Sequence, residues 1–207
     1  MYYKTPRPAG YYNLKQSVEI VRLYMDSEDW EHKGLFLFSQ NRFDEALDAY
    51  GQAIQTNPKN DIAWNLKYDI LLYLKKYDDA LHAIIQALGI KPDSAYYWLK
   101  KGDILYFLGH YEDSLTAYTR GIELNPKSIG CWIGKSNTCE KLKRYDDALL
   151  AVNIALAIDP TIKYYWFLKA EICNKLNHNS DAFSAFNTAI SFDPHEPFSK
   201  FFSCILR

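Results

Sequence analysis

Four pairs of adjacent carboxylates stand out in this sequence: Asp44-Glu45, Asp78-Asp79, Glu112-Asp113 and Asp146-Asp147. Carboxylates this close could hold a divalent cation, or divide acid and base roles between them. Five lysines, Lys33, Lys67, Lys101, Lys135 and Lys169, could form a basic row for an anionic ligand. Cysteines at 131, 139, 173 and 204 and histidines at 32, 82, 110, 178 and 195 could supply metal ligands. Spacing argues against each of these. No two cysteines form a CxxC pair, and no histidine lies at a zinc-ligand distance from them. His195-Glu196 runs into Pro197 and lacks the second histidine of a zinc-protease motif. Glycines are scattered rather than gathered into a phosphate loop. The acid pairs and the lysines recur at one fixed interval, which ties them to a scaffold. At the first turn of a helix an acid pair complements the helix dipole. A lysine stem can cover the face of a neighbouring ring while its ammonium reaches water. The expectation is no catalytic residue, no metal site and no cofactor.

Composition sets the class of partner. The chain has 207 residues, 48% hydrophobic, 24% charged and 16% aromatic, with 17 Tyr and 5 Trp. That composition folds. A net charge of −1 gives no field that would draw nucleic acid, and no run of 18 apolar residues exists to span a bilayer. Met1 to Gly10 lacks the apolar core of a secretory signal. Cysteines without metal spacing read as buried free thiols in a reducing compartment, so the expected location is cytoplasmic.

The fixed interval organises everything else. Proline stands at 58, 92, 126, 160 and 194, and tryptophan at 30, 64, 98, 132 and 166, every step being 34 residues. Numbering each repeat so that Trp is position 4 and Pro position 32 gives 27–60, 61–94, 95–128, 129–162 and 163–196. Each unit reads as two helices, over positions 1–14 and 18–31. Proline at 32 stops the second. Position 34 supplies N-caps in Asn60, Ser94 and Ser128, with Asp26 before the first repeat, whereas Ile162 caps nothing. Small residues recur at positions 8, 20 and 27. Position 17 is aromatic, Phe43, Tyr77, Tyr111 and Tyr145, until Asn179.

This pattern resembles the tetratricopeptide repeat family: Trp at 4, small at 8, aromatic at 17, Ala at 20, aromatic or large apolar at 24, Ala at 27 and Pro at 32. Tyr68 at position 8, cysteines at position 11 and Asn179 depart from it, and lysine replaces the usual apolar residue at position 7. The resemblance implies an all-α fold, an α-solenoid. Its antiparallel helix pairs would wind into a right-handed superhelix with terminal capping helices. It also implies a non-enzymatic scaffold or adaptor that binds a peptide or protein in a concave groove lined by positions 2, 5, 6, 9, 12 and 13. The carboxylate clamp of some members needs Lys at 5, Asn at 9 and further cations. Position 5 here is Glu31, Asn65, Leu99, Ile133 and Phe167, so no chaperone tail of that kind is expected.

Within that groove the richest stretch is repeats 3–5. Tyr96, Leu99 and Tyr106 stand on one side and Tyr164 and Phe167 on the other. Ile133 lies between them, and Asp103 and Asn137 could orient a ligand backbone. Gly130 and Gly134 share a helix face. A glycine inside a helix costs about 1 kcal/mol relative to Ala, so Gly134 needs a reason. That reason is either close backbone packing or a gap forming a hydrophobic notch for an apolar anchor. Carboxylates outnumber cations along the groove, which favours an apolar or aromatic partner with some basic character.

The ends need covering. Residues 1–26 hold an N-terminal extension with a capping helix over 11–25. Residues 197–207, PFSKFFSCILR, read as the first helix of an incomplete sixth repeat. The alternative function is a self-associating module, a homodimer formed through this apolar C-terminal segment.

Overall fold

The computed structural model describes residues 25–192. All regular structure among them is helical: α1 (Ser27–Ser39), α2 (Phe43–Thr56), α3 (Asp61–Tyr73), α4 (Tyr77–Ile90), α5 (Ala95–Phe107), α6 (Tyr111–Leu124), α7 (Ile129–Lys141), α8 (Tyr145–Ile158), α9 (Lys163–Lys175) and α10 (Asn179–Ser191). The ten helices pack pairwise as an α-solenoid. Apart from Met25, both expected terminal caps lie outside the described residues. The chain divides into two compact units, one ending at Ala63 and one beginning at Trp64.

The helices start and stop for local reasons. First helices cover positions 1–13, and second helices begin at position 17, one residue earlier than expected. The turn between them is a Schellman motif. The position-16 amide donates to the position-11 carbonyl in all five repeats, as in Arg42 to Leu37 at 3.0 Å and Arg144 to Cys139 at 2.8 Å. Position 15 is left-handed throughout: Asn41 at φ 61°, Lys75 at 58°, Gly109 at 79°, Lys143 at 59° and Asn177 at 59°. Glycine and asparagine tolerate this conformation, whereas a lysine there costs about 1 kcal/mol or more. Second helices end where proline requires extended backbone before it, as at Asn57 (φ −135°) and Asp159 (φ −141°).

Three of the four expected N-caps act as such. Asp26 forms a reciprocal box with Asp29, Asn60 accepts from the Ala63 amide at 2.9 Å, and Ser94 accepts from Tyr97 at 3.3 Å. Ser128 makes no side-chain cap, contrary to expectation, and neither does Ile162.

The strict register of Trp with Pro has a bonded cause. The indole N–H of Trp98 donates to the Pro92 carbonyl at 2.8 Å, Trp132 to Pro126 at 2.9 Å and Trp166 to Pro160 at 2.8 Å. Each bond ties the end of one repeat to the first helix of the next. The position-7 lysine lies over the same ring. Its Nζ is 4.6 Å from the ring centroid for Lys33 on Trp30, and 5.5, 4.9, 5.6 and 5.6 Å at Lys67, Lys101, Lys135 and Lys169. All five are therefore cation–π partners of the scaffold tryptophan, each contributing about 0.5–1 kcal/mol.

Positions 8 and 24 exchange volume. Gly34 faces Tyr50 and Gly102 faces Tyr118. Where position 8 carries the large Tyr68, position 24 is Ile84, and both are buried. Ser136 goes with Val152. A departure from the motif at one position is compensated at the other, which preserves interior density.

Candidate functional site

The residues singled out in repeats 3–5 all belong to the unit beginning at Trp64. They sit on α5, α7 and α9, the first helices of those repeats. The structure separates them into exposed, half-buried and core residues. Tyr96 is 53% exposed and Tyr164 56%, while Gly130 on the intervening α7 is also exposed. A Cβ on Gly130 would meet only the Leu99 methyls, at 3.0 and 3.3 Å. Leu99 therefore leans across the glycine and forms the wall beside it. Ile133 is different. At 9% exposure it belongs to the core with Val152, Leu168 and Ile172, so it supports the surface from beneath.

Gly134 is not a gap. It is buried, and a Cβ there would lie 2.3 Å from both Cε1 and Cζ of Tyr118. Gly102 meets the same ring, its Cβ position being 2.5 Å from Cε1. Two glycines from adjacent repeats thus make room for one tyrosine, whose hydroxyl donates to Asp103 Oδ1 at 2.7 Å. The notch expected at Gly134 is filled by the protein's own ring. The open glycine of the pair is Gly130.

The polar residues differ in how far they are committed. Burial pushes the Asp103 carboxyl above the usual range, opposed by the Tyr118 hydroxyl and the Lys100 ammonium. Asn137 is half-buried and its side chain makes no hydrogen bond with the described residues. Lys100 is buried and donates to Asn65 Oδ1 at 2.7 Å and to Asp69 Oδ1 at 2.5 Å. Its ammonium also lies 4.9 Å from the Tyr68 ring and 4.7 Å from Tyr96. Lys175 pairs with Glu140 and, at 3.0 Å, with Glu171. Most charges of this groove therefore neutralise one another. Phe167 packs on Phe186 with centroids 5.7 Å apart. Burial raises the Tyr106 phenol, partly offset by Lys141.

The carboxylate pairs stand at the first turn of α2, α4, α6 and α8, and Glu45 and Asp147 are ion-paired with Arg42 and Arg144. Two equivalent hollows open at the tryptophan positions instead. One of about 200 Å³ is lined by Trp98, Lys101 and Asp113, and one of about 250 Å³ by Trp166, Lys169 and Asp181.

Models of the tetratricopeptide repeat match residues 37–104 and 95–128. The chain is a tetratricopeptide repeat protein. No curated protein sequence matches it. Solved structures with the same fold include MamA from Desulfovibrio magneticus RS-1, with a TM-score of 0.76 at 13% identity over 82% of this chain and 96% of that one. YrrB, described as a TPR protein with an unusual peptide-binding site, has a TM-score of 0.72 at 17% identity over 93% and 95%. Pseudomonas aeruginosa pilF has a TM-score of 0.70 at 14% identity over 80% and 76%.

Two features of this tetratricopeptide array were not visible in sequence. The Lys100 cluster joins positions 5, 6, 8 and 9 of adjacent first helices, and its only sequence trace is opposite charge about one repeat apart. The Tyr118 clasp joins positions 8 and 24 of one repeat to position 6 of the next. Gly102 and Gly134 bracketing a tyrosine was its signal.

Proposed function

We propose that this protein is a non-enzymatic interaction scaffold that holds a peptide or protein segment across α5, α7 and α9, the first helices of repeats 3–5. One observation carries this reading. Two exposed tyrosines, Tyr96 and Tyr164, flank the exposed Gly130, with Leu99 as the wall between them. Exposed aromatic rings on a rigid frame are good anchors, because they offer large contact area at low entropic cost. Asn137 has an uncommitted amide that suits a ligand backbone. Asp103, already bonded to Tyr118, and the paired Lys100 and Lys175 leave little free charge, so the partner is chosen mainly by its apolar and aromatic side chains. The peptide-binding site named for YrrB agrees with this class of function.

The test is quantitative capture from a lysate of the source organism by the wild type and by a Tyr96→Ala/Tyr164→Ala variant. Loss of specific partners with an unchanged helical spectrum is expected. A folded variant that captures the same proteins with the same affinity would move the site elsewhere.

Self-association is a second reading with its own support. Phe183 on α10 is 68% exposed and Phe192 45%, whereas the equivalent Leu81, Leu115 and Leu149 are half-buried. A Phe183→Asp variant that sediments as the wild type does at all concentrations would remove that support.

A further inference from the structure

The turn end of the groove, at positions 12 and 13 and the turns that follow them, carries a second arrangement in repeats 2–4. The rings of Tyr77 and Phe107 stack at 5.7 Å with an interplanar angle of 9°. Phe107 meets Tyr106 at 6.1 Å, and Tyr106 meets Tyr111 at 5.6 Å. This chain of four rings reaches the surface, where Phe107 is 56% exposed and the nearby Tyr73 63%. Lysines stand on both sides of it in the repeat order: Lys75 in the turn of repeat 2, Lys141 and Lys143 at the turn of repeat 4. All three are exposed and none has a hydrogen bond or ion pair from its side chain among the described residues. That sets them apart from Lys100 and Lys175, whose charges are satisfied internally.

The backbone adds an independent observation. Lys75 and Lys143 hold the left-handed position that the other three turns give to Asn41, Gly109 and Asn177. The fold accepts asparagine or glycine there at lower cost. Two repeats nevertheless use lysine: repeat 2, which holds Tyr77 of the ring cluster, and repeat 4, which follows the repeat holding the other three rings. Backbone disfavoured by its own side chain, with no side-chain hydrogen bond or ion pair among the described residues in return, points to a use outside the chain.

We propose that this edge docks an acidic segment of a partner protein. An aromatic or large apolar side chain of that segment would cover the Phe107 rings, and carboxylates on either side of it would meet Lys75, Lys141 and Lys143. The proposal rests on the scaffold reading above and deepens it by fixing the partner's chemistry. It reverses the basic character expected of the partner from groove composition, because Asp69, Glu140 and Glu171 are spent on Lys100 and Lys175 while Lys75, Lys141 and Lys143 have no ion pair among the described residues. A single-stranded nucleic acid could also use lysines and rings. The chain's net charge of −1 gives no field to gather a long polyanion, which favours a short carboxylate segment over a phosphate backbone.

The test uses the full chain and a fluorescein-labelled peptide with one Phe flanked on each side by two Glu. Its controls are the same peptide with Glu changed to Gln, with Glu changed to Lys, and with Phe changed to Ser, and a labelled single-stranded oligonucleotide. Anisotropy should show the acidic peptide binding with a dissociation constant below about 1 mM at low salt, weakening as salt rises. Every control should bind more weakly. The Lys75→Asn/Lys143→Asn variant uses the residue that repeats 1 and 5 already carry, so its melting temperature should equal or exceed the wild type. Its affinity for the acidic peptide should fall about three- to twentyfold. Binding of the Gln or Lys peptide equal to that of the Glu peptide overturns the proposal. So does unchanged affinity in the lysine variant, preference for the oligonucleotide, or no binding of the acidic peptide. If any of these occurs while lysate capture still depends on Tyr96 and Tyr164, the groove reading stands and only the edge assignment fails.

Discussion

Gly134→Ala tests the close-packing account of α7 directly. In an open helix interior this exchange contributes about 1 kcal/mol in favour of the fold. Here the added Cβ would lie 2.3 Å from two ring carbons of Tyr118, more than 1 Å inside the usual carbon–carbon separation of about 3.5–4.0 Å. The ring has little freedom to retreat, since Gly102 also abuts it and its hydroxyl is held by Asp103 at 2.7 Å. Overpacking of this kind costs about 1–3 kcal/mol, and the overlap favours the upper end. The net expectation is a loss of about 1–2 kcal/mol, or a melting temperature lower by about 3–8 °C. Gly130→Ala, one turn away, is the control. Its Cβ has the flexible Leu99 methyls as nearest neighbours, at 3.0 and 3.3 Å, and these can turn aside, so stability should stay level or rise by up to about 1 kcal/mol. Urea unfolding followed by circular dichroism, with the slope checked because repeat arrays can unfold in parts, measures both. A Tyr118→Val background should shrink the gap between the two substitutions, because valine is the position-24 residue of repeat 4. If Gly134→Ala is as stable as Gly130→Ala, Tyr118 does not occupy the space assigned to it.

Two further outcomes are expected. Lys101→Met keeps the stem over Trp98 and removes the ammonium 4.9 Å from its centroid, so unfolding free energy should fall by about 0.5–1 kcal/mol; an unchanged value would show that only the stem matters. Burial raises the folded-state Asp103 pKa, so the native state binds more protons than the unfolded state between the two pKa values, and ionising this carboxyl lowers stability as pH rises through that window. Asp103→Asn still accepts from Tyr118, and it should melt no lower than the wild type at pH 7, with its advantage closing as pH falls through that window and gone below the unfolded carboxylate range; an advantage that grows on acidification would contradict the burial account.

The repeat architecture was legible because its signals are local and periodic. Trp at position 4 and Pro at position 32 keep one register, and at Trp98, Trp132 and Trp166 the indole N–H bonds to the proline carbonyl six residues before it, which fixes the pair. The period of the position-7 lysines was legible, but their role was not: a basic row and a cover for the ring one helical turn away both fitted the spacing until the structure placed each ammonium over its tryptophan. Local chemistry also accounts for the acid pairs and for the proline stops. What lies between helices was not readable. Gly134 admits a gap or a neighbour equally well in sequence, and only packing brings Tyr118 from the preceding helix into that space. Asp69 and Lys100 look like two groove charges of opposite sign until adjacent first helices set them 2.5 Å apart and cancel them. Lys75 and Lys143 look like ordinary turn lysines until the backbone shows both in the left-handed region. Charge and volume in a repeat array are settled against the neighbouring repeat, which a one-dimensional period describes only on average. The tertiary structure therefore decided which of the periodic side chains remain free to meet a partner.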